Sequence, residues 1–122
     1  MDTRKISDEL SVSPQIGIAD LDALAAAGFR AVICNRPDGE GPDQQSFEEI
    51  KAAAAKAGLA ARYLPVVSGR VEDPDAASFG TAMNELPKPV LAYCRSGTRS
   101  PTLWASSQAS TMHAVHILSQ AK

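Results

Sequence analysis

Apolar residues follow two alternating patterns along this chain. Short apolar runs read as buried strands, and stretches with apolar positions every three or four residues read as amphipathic helices. Residues 6–16 read as extended, with Leu10, Val12 and Ile16 at even spacing. Pro14 limits how far this segment can pair, which predicts an edge hairpin or strand. Asp20–Ala27 reads as a helix with Leu21, Leu24 and Ala25 on one face and Gly28 just past its end. Phe29–Cys34 reads as a central strand. After the loop Asn35–Pro42, Ser46 and Glu49 form a capping box for a helix whose face carries Phe47, Ile50 and Ala54, and Gly58 closes it. Ala61–Val66 is the next expected strand and Val67–Glu72 the next loop. Asp73 then caps a helix with Pro74 at its first position and Phe79, Ala82, Met83 and Leu86 on its buried stripe; Pro87 and Pro89 end it. Val90–Tyr93 reads as a strand and Cys94–Arg99 as a loop. Ser100 is expected as the N-cap, and Pro101 as the first residue, of a further helix. That helix breaks near Ser110, and Met112, Val115, Leu118 and Ala121 stripe a last short one.

Strands alternating with helices imply an α/β fold: one domain over residues 1–122, with a mainly parallel central sheet and helices on both faces. In such sheets ligands bind where the loops leave the carboxyl ends of the strands. Asn35–Pro42, Val67–Glu72 and Cys94–Arg99 should therefore wall one site.

Composition narrows the class. Of 122 residues, 44% are hydrophobic and 21% charged, as in an ordinary globular domain, and the net charge is −2. The scattered positive charge and 5% aromatics argue against nucleic-acid binding. No apolar run reaches the roughly 20 residues that span a bilayer. With no leader-like segment, the expected location is the cytoplasm, with the two cysteines as free thiols.

The Cys94 loop carries the chemistry. A strand delivers Cys94 into a turn that closes on a helix start, so backbone amides and the positive helix end converge on one small volume. Both stabilise a thiolate, which makes Cys94 a nucleophile. Arg95, Ser96, Gly97 and Thr98 form an anion-binding loop. Gly97 supplies a conformation that lets successive N–H groups converge. Arg99 offers a planar fork for two anionic oxygens, and the Ser100 hydroxyl is placed to steady the sulfur.

The run CRSGTRS resembles the active-site loop of rhodanese-type sulfurtransferases. It also resembles a shortened cysteine-phosphatase signature, with four residues between Cys94 and Arg99 in place of five and Tyr93 where a histidine is usual. Taken with Cys34–Glu40 (CNRPDGE) and Tyr63–Gly69 (YLPVVSG), it resembles the phosphatase-like domain of bacterial beta-lactamase-hydrolase-like proteins over nearly the whole chain. That resemblance implies a cysteine-phosphatase-like fold, with a rhodanese-like one as the alternative. Members carry both phosphatase and sulfur-transferase labels, and the domain occurs alone or fused to a metal-dependent hydrolase or persulfide dioxygenase, which makes a dioxygenase a candidate partner.

Two reactions suit the loop. In sulfur transfer, Cys94 takes sulfane sulfur from thiosulfate or a small persulfide and passes it to a thiol acceptor. In phosphoester hydrolysis, Cys94 attacks phosphorus while a carboxylic acid, drawn from Asp38, Glu72 or Asp73, protonates the leaving oxygen. Asp38 as a turn former and Asp73 as a helix cap account for their positions without catalysis, so the sequence favours sulfur transfer. A non-catalytic anion- or persulfide-binding module is the third reading. No cofactor is expected, and the substrate is a small anion. Asn35, Arg36 and Arg70 are candidate substrate contacts, with Arg36 alternatively pairing with Asp38 or Glu40 and Arg70 alternatively a solvated loop residue. Cys34, Tyr93 and Trp104 read as core. His113 and His116 share a helical face but lack a third ligand, so no metal site is expected.

Overall fold

Four of the five strands run parallel, and their carboxyl ends gather on one edge. The computed structural model describes residues 2–42 and 44–108. The expected last helix, with Met112, Val115, Leu118 and Ala121, and the pair His113 and His116 lie outside the described residues. The strands are β1 (Arg4–Lys5), β2 (Leu10–Ser13), β3 (Ala31–Cys34), β4 (Ala60–Tyr63) and β5 (Val90–Tyr93), in the order β1-β2-β5-β3-β4. Only β1 is antiparallel to its neighbour. The extended segment 6–16 thus resolves into a turn followed by β2, which pairs with β1 on one side and β5 on the other. The helices are α1 (Leu21–Ala26), α2 (Phe47–Ala57), α3 (Asp73–Glu85) and α4, described over 99–108. No helix among the described residues is long and apolar enough to cross a membrane.

Every residue of β3 and β5 is buried, as expected of central strands covered on both faces. Alternation along them divides the core. Ala31, Ile33, Val90 and Ala92 pack with Leu10 and Val12 against Phe79 and Ala82 of α3 and Leu103 of α4. Val32, Cys34, Leu91 and Tyr93 pack against Leu21 and Leu24 of α1 and Phe47, Ile50 and Ala54 of α2. Cys34 and Tyr93 are core residues on that second face, as their strand positions suggested. Trp104 is half-buried against the first.

Local signals set most boundaries. Ser46 caps α2 by accepting the Glu49 N–H at 3.2 Å, and Gly58 ends it with a φ of 82°. Two helix starts differ from expectation. Glu72, not Asp73, occupies the N-cap of α3, so Asp73 lies in the first turn, and the Asp75 carboxylate accepts the Glu72 N–H at 3.0 Å. α4 begins at Arg99, two residues earlier than Ser100 as N-cap and Pro101 as first residue implied. Pro101 still fits, because the first turn needs no N–H from it. Strand β4 stops at Tyr63, just before Pro65 interrupts the ladder, yet Leu64 and Val66 still donate to the carbonyls of Cys34 and Asn35. The segment after β4 is thereby held against the loop after β3.

Phe79 lies fully buried where α3 meets the sheet. Phe79→Ala is expected to destabilise the domain by about 3–5 kcal/mol, read as a lower urea midpoint with unchanged slope.

Candidate active site

Cys94 leaves the end of β5 and is fully buried at the floor of its loop. Its amide donates to the Ser13 carbonyl at 3.3 Å, which ties the loop base to β2. The loop then turns back through Gly97, whose φ is 86°. That turn brings the Gly97 N–H to 3.1 Å from the Cys94 sulfur. Burial is the largest single influence on the thiol and opposes its ionisation. The amides of Ser100, Arg99 and Gly97 and the Ser100 hydroxyl together outweigh it, and the pKa falls below the ordinary 9.0. The Arg99 and Ser100 amides are the first of α4, so its dipole works in the same direction.

Arg99 is 6% exposed, and the use of its five N–H donors defines its role. Nη1 donates to Glu40 Oε2 at 2.8 Å and to the Val66 carbonyl at 2.9 Å. Nη2 donates to Glu40 Oε1 at 2.6 Å. This leaves the side edge, the Nε–H and one Nη2–H, for an anion. Cys94 is among the groups that hold the guanidinium charged, after Glu40, so the arginine sits beside the sulfur. An oxyanion carried by Cys94 would meet that free edge as a fork.

The two other loops take part, but through groups that differ from those expected. Asn35 is fully buried. Its Oδ1 accepts from Ser100 Oγ at 2.8 Å, its Nδ2 donates to the Leu64 carbonyl at 2.9 Å, and its amide donates to the Tyr93 carbonyl at 2.8 Å. It anchors Ser100 to the ends of β3 and β5 and to the segment after β4. Arg36 is buried too, donating from Nε to Glu40 Oε1 at 3.1 Å and from Nη1 to Gln15 Oε1 at 3.0 Å. It pairs with Glu40, not with Asp38. The loop 66–72 contributes the Val66 carbonyl.

The candidate acids are elsewhere engaged. Asp38 Oδ1 accepts the Phe47 N–H at 2.8 Å and so serves the start of α2, while its own amide donates to the Tyr63 hydroxyl at 2.9 Å. Glu72 and Asp73 are exposed at the start of α3, and Arg70 is exposed in its loop. Arg95, Ser96 and Thr98 face outward on the rim, with Ser96 Oγ and Thr98 Oγ1 3.1 Å apart. Cys34 donates its thiol to the Arg36 carbonyl at 3.2 Å, and burial pushes its pKa up, as befits an inert core thiol. Among the described residues no cluster of three His, Cys, Asp or Glu could hold a metal. A groove of about 810 Å³ between α3, α4 and the β1–β2 turn contains no residue of the Cys94 loop.

Gln15 is a site residue that the sequence did not single out, and Glu40 was read there only as an alternative partner of Arg36, not of Arg99. A carboxylate flanked by Gly39 and Gly41 and following a buried arginine was the only signal. Its partner Arg99 lies 59 positions away. Arg99 above all, and then Arg36, hold the Glu40 carboxyl below its ordinary 4.5. The ion pairs therefore stabilise the fold fully above the ordinary carboxyl pKa, and this is lost as pH falls through the lowered value. In urea melts from neutral to acid pH, Glu40→Gln is expected to be less stable at neutral pH and to lose that segment of acid dependence. For the thiol, the rate of iodoacetamide modification mapped to Cys94 should rise with a midpoint below 9.0, and Gly97→Ala, strained at positive φ, should raise it.

Comparison with known proteins points one way. The family model described as beta-lactamase hydrolase-like protein, phosphatase-like domain, matches residues 2–111. A beta-lactamase hydrolase-like protein of Agrobacterium fabrum is 37% identical over 105 residues, 86% of this chain and 24% of its own length. The chain therefore spans about a quarter of that relative. A crystal structure from Neisseria meningitidis, described as "a putative phosphatase", superposes with a TM-score of 0.77 at 38% identity, covering 82% of this chain and 71% of the other. The Pseudomonas aeruginosa protein TpbA, solved with phosphotyrosine, shares the fold at a TM-score of 0.58 and 19% identity, covering 81% and 56%. Of the two expected architectures, the cysteine-phosphatase-like one is therefore present.

Proposed function

Because the chain belongs to the family of beta-lactamase hydrolase-like phosphatase-like domains, we propose that it is a cysteine-dependent phosphatase acting on a small phosphoester. The observation that carries this reading is the free edge of Arg99 beside a Cys94 thiolate that accepts the Gly97 N–H at 3.1 Å. In the first step the Cys94 sulfur attacks phosphorus. A P–S bond forms, the P–O bond to the leaving group breaks, and the loop amides and Arg99 hold the three phosphoryl oxygens. In the second step water attacks phosphorus, the P–S bond breaks, and inorganic phosphate leaves with the thiolate restored. Ser100, fixed by Asn35, keeps its amide at the sulfur and steadies the thiolate as it leaves.

Sulfur transfer, which the sequence favoured for want of a committed acid, has no support among the relatives. They are named for phosphatases or hydrolase-like proteins, and one distant fold relative, TpbA, was solved with a phosphorylated amino acid. The four-residue spacing does not exclude phosphorus, since Arg99 keeps two donors free at the sulfur.

With Asp38 committed to α2, the leaving oxygen draws its proton from solvent. Aryl phosphates should then be hydrolysed much faster than alkyl phosphates. The test is phosphate release from p-nitrophenyl phosphate beside sulfur loading from thiosulfate, read by intact mass. Wild type is expected to release phosphate and gain no sulfur. Cys94→Ser should lower kcat by about 10⁴-fold or more, and Arg99→Ala by about 10²–10³-fold. A stable gain of one sulfur at Cys94 with no phosphate release would sink the phosphatase reading.

A further inference from the structure

We propose that Arg36 is a positioning residue that supplies the anion site with its net positive charge, acting through Glu40 without touching substrate. The inference rests on the reading that the Cys94 loop binds an oxyanion.

Glu40 sits between two arginines. Its Oε1 accepts from Arg99 Nη2 at 2.6 Å and from Arg36 Nε at 3.1 Å, and its Oε2 accepts from Arg99 Nη1 at 2.8 Å. All three side chains are largely withdrawn from water, at 6% exposure for Arg99, 7% for Arg36 and 23% for Glu40. Charge counting then matters more than at a surface, because water screens it little. Arg99 with Glu40 alone makes a neutral pair. Such a pair orients the guanidinium but cancels most of its pull on a thiolate or an incoming anion. Arg36 on the other side of the carboxylate brings the group to +1.

The local structure keeps Arg36 in this indirect role. Its Nη1 is held by Gln15 Oε1 at 3.0 Å, from the segment after β2. Its Nη2 lies against Gly41, where a Cβ would come within 2.6 Å. Gly41 is thus small because the guanidinium occupies the space of a side chain. The loop is stitched closed around it: Gln44 Nε2 donates to the Pro37 carbonyl at 2.9 Å, and Asp38 is tied to α2. The charged groups around the site are Arg99 from α4, Glu40 and Asp38 from the Arg36 loop, and Cys94 from the end of β5. Gln15, from the β2 side, is neutral. Asp38 is exposed and screened, so Arg36 is the buried charge that decides the balance.

A simple loop staple would use the same hydrogen bonds, and charge complementation separates the two roles. The probe is inorganic phosphate, read as protection of Cys94 from iodoacetamide with the site mapped by mass spectrometry, together with the pH midpoint of the modification. Arg36→Gln is expected to weaken phosphate protection about tenfold and to move the midpoint up, while Arg36→Lys stays within about threefold of wild type. The double variant Arg36→Gln/Glu40→Gln returns the group to +1 through Arg99 alone, and should recover protection and midpoint relative to Arg36→Gln. It also removes the buried carboxylate that has lost one of its two arginines, so it serves if the single variant does not fold. Arg36→Gln with unchanged protection and midpoint, or a double variant that lies further from wild type than Arg36→Lys in both, overturns the proposal. Absence of phosphate protection in wild type would instead count against the oxyanion reading of the site, and the midpoints alone would then decide the role of Arg36.

Discussion

The end of the Arg99 guanidinium closes on the Glu40 carboxylate, and the geometry of the whole site follows from that pairing. It turns the remaining edge of the arginine towards Cys94. It also draws the loop after β3 onto the start of α4, and the Val66 carbonyl adds the loop after β4. Three crossovers of a parallel sheet thus meet at one side chain. A long, flexible arginine would otherwise lose much of its binding strength to rotamer entropy; here that cost is met on folding rather than on binding.

Around this pairing, opposed influences are balanced on Cys94. Full burial disfavours the thiolate, while the turn at Gly97 and the first amides of α4 favour it. The balance needs a dry, rigid cradle, and Asn35 provides much of it. One buried amide joins the β3 loop to β5, to the segment after β4 and to Ser100. An unsatisfied buried amide is costly, so those bonds constrain all four partners together. Cys34 shows the contrasting outcome. It sits in register beside Tyr93, faces the α1–α2 layer, and burial outweighs the Tyr93 and Arg36 contacts that favour its thiolate.

The same arrangement explains why phosphoryl and sulfur chemistry look alike at the level of a loop. Both ask for a thiolate in a nest of amides. What favours phosphoryl transfer here is a fork of two free donors beside the sulfur, together with membership of a phosphatase-like family. The chain corresponds to about a quarter of its Agrobacterium relative, and it carries this site within that span.

Much of the architecture was legible in the sequence, because it depends on neighbours along the chain. Strand and helix periodicity, the Ser46 capping box and the Gly58 stop are local, and the structure has them where they were read. So is the delivery of Cys94 by a buried strand into a glycine turn at a helix start. Helix starts moved by one residue at Asp73 and by two at Ser100, because caps were chosen by residue type and the chain chose by backbone geometry. The partners of the charged groups were not legible. Asn35 and Arg36 were read as candidate substrate contacts, with a pair to Asp38 or Glu40 as the alternative for Arg36, and Asp38 as a candidate acid or a turn former. Folding gave Asp38 to α2, buried Asn35 under Ser100 and set Arg36 behind Glu40. The Asn35–Ser100 bond and the Glu40–Arg99 pair join segments far apart in the chain, the latter across 59 positions. The sequence by itself determined that Cys94 stands at the end of a buried strand, in a glycine turn at a helix start. Only the tertiary structure decided which charges meet, because a buried ion pair is selected by the space that packing leaves and not by spacing along the chain.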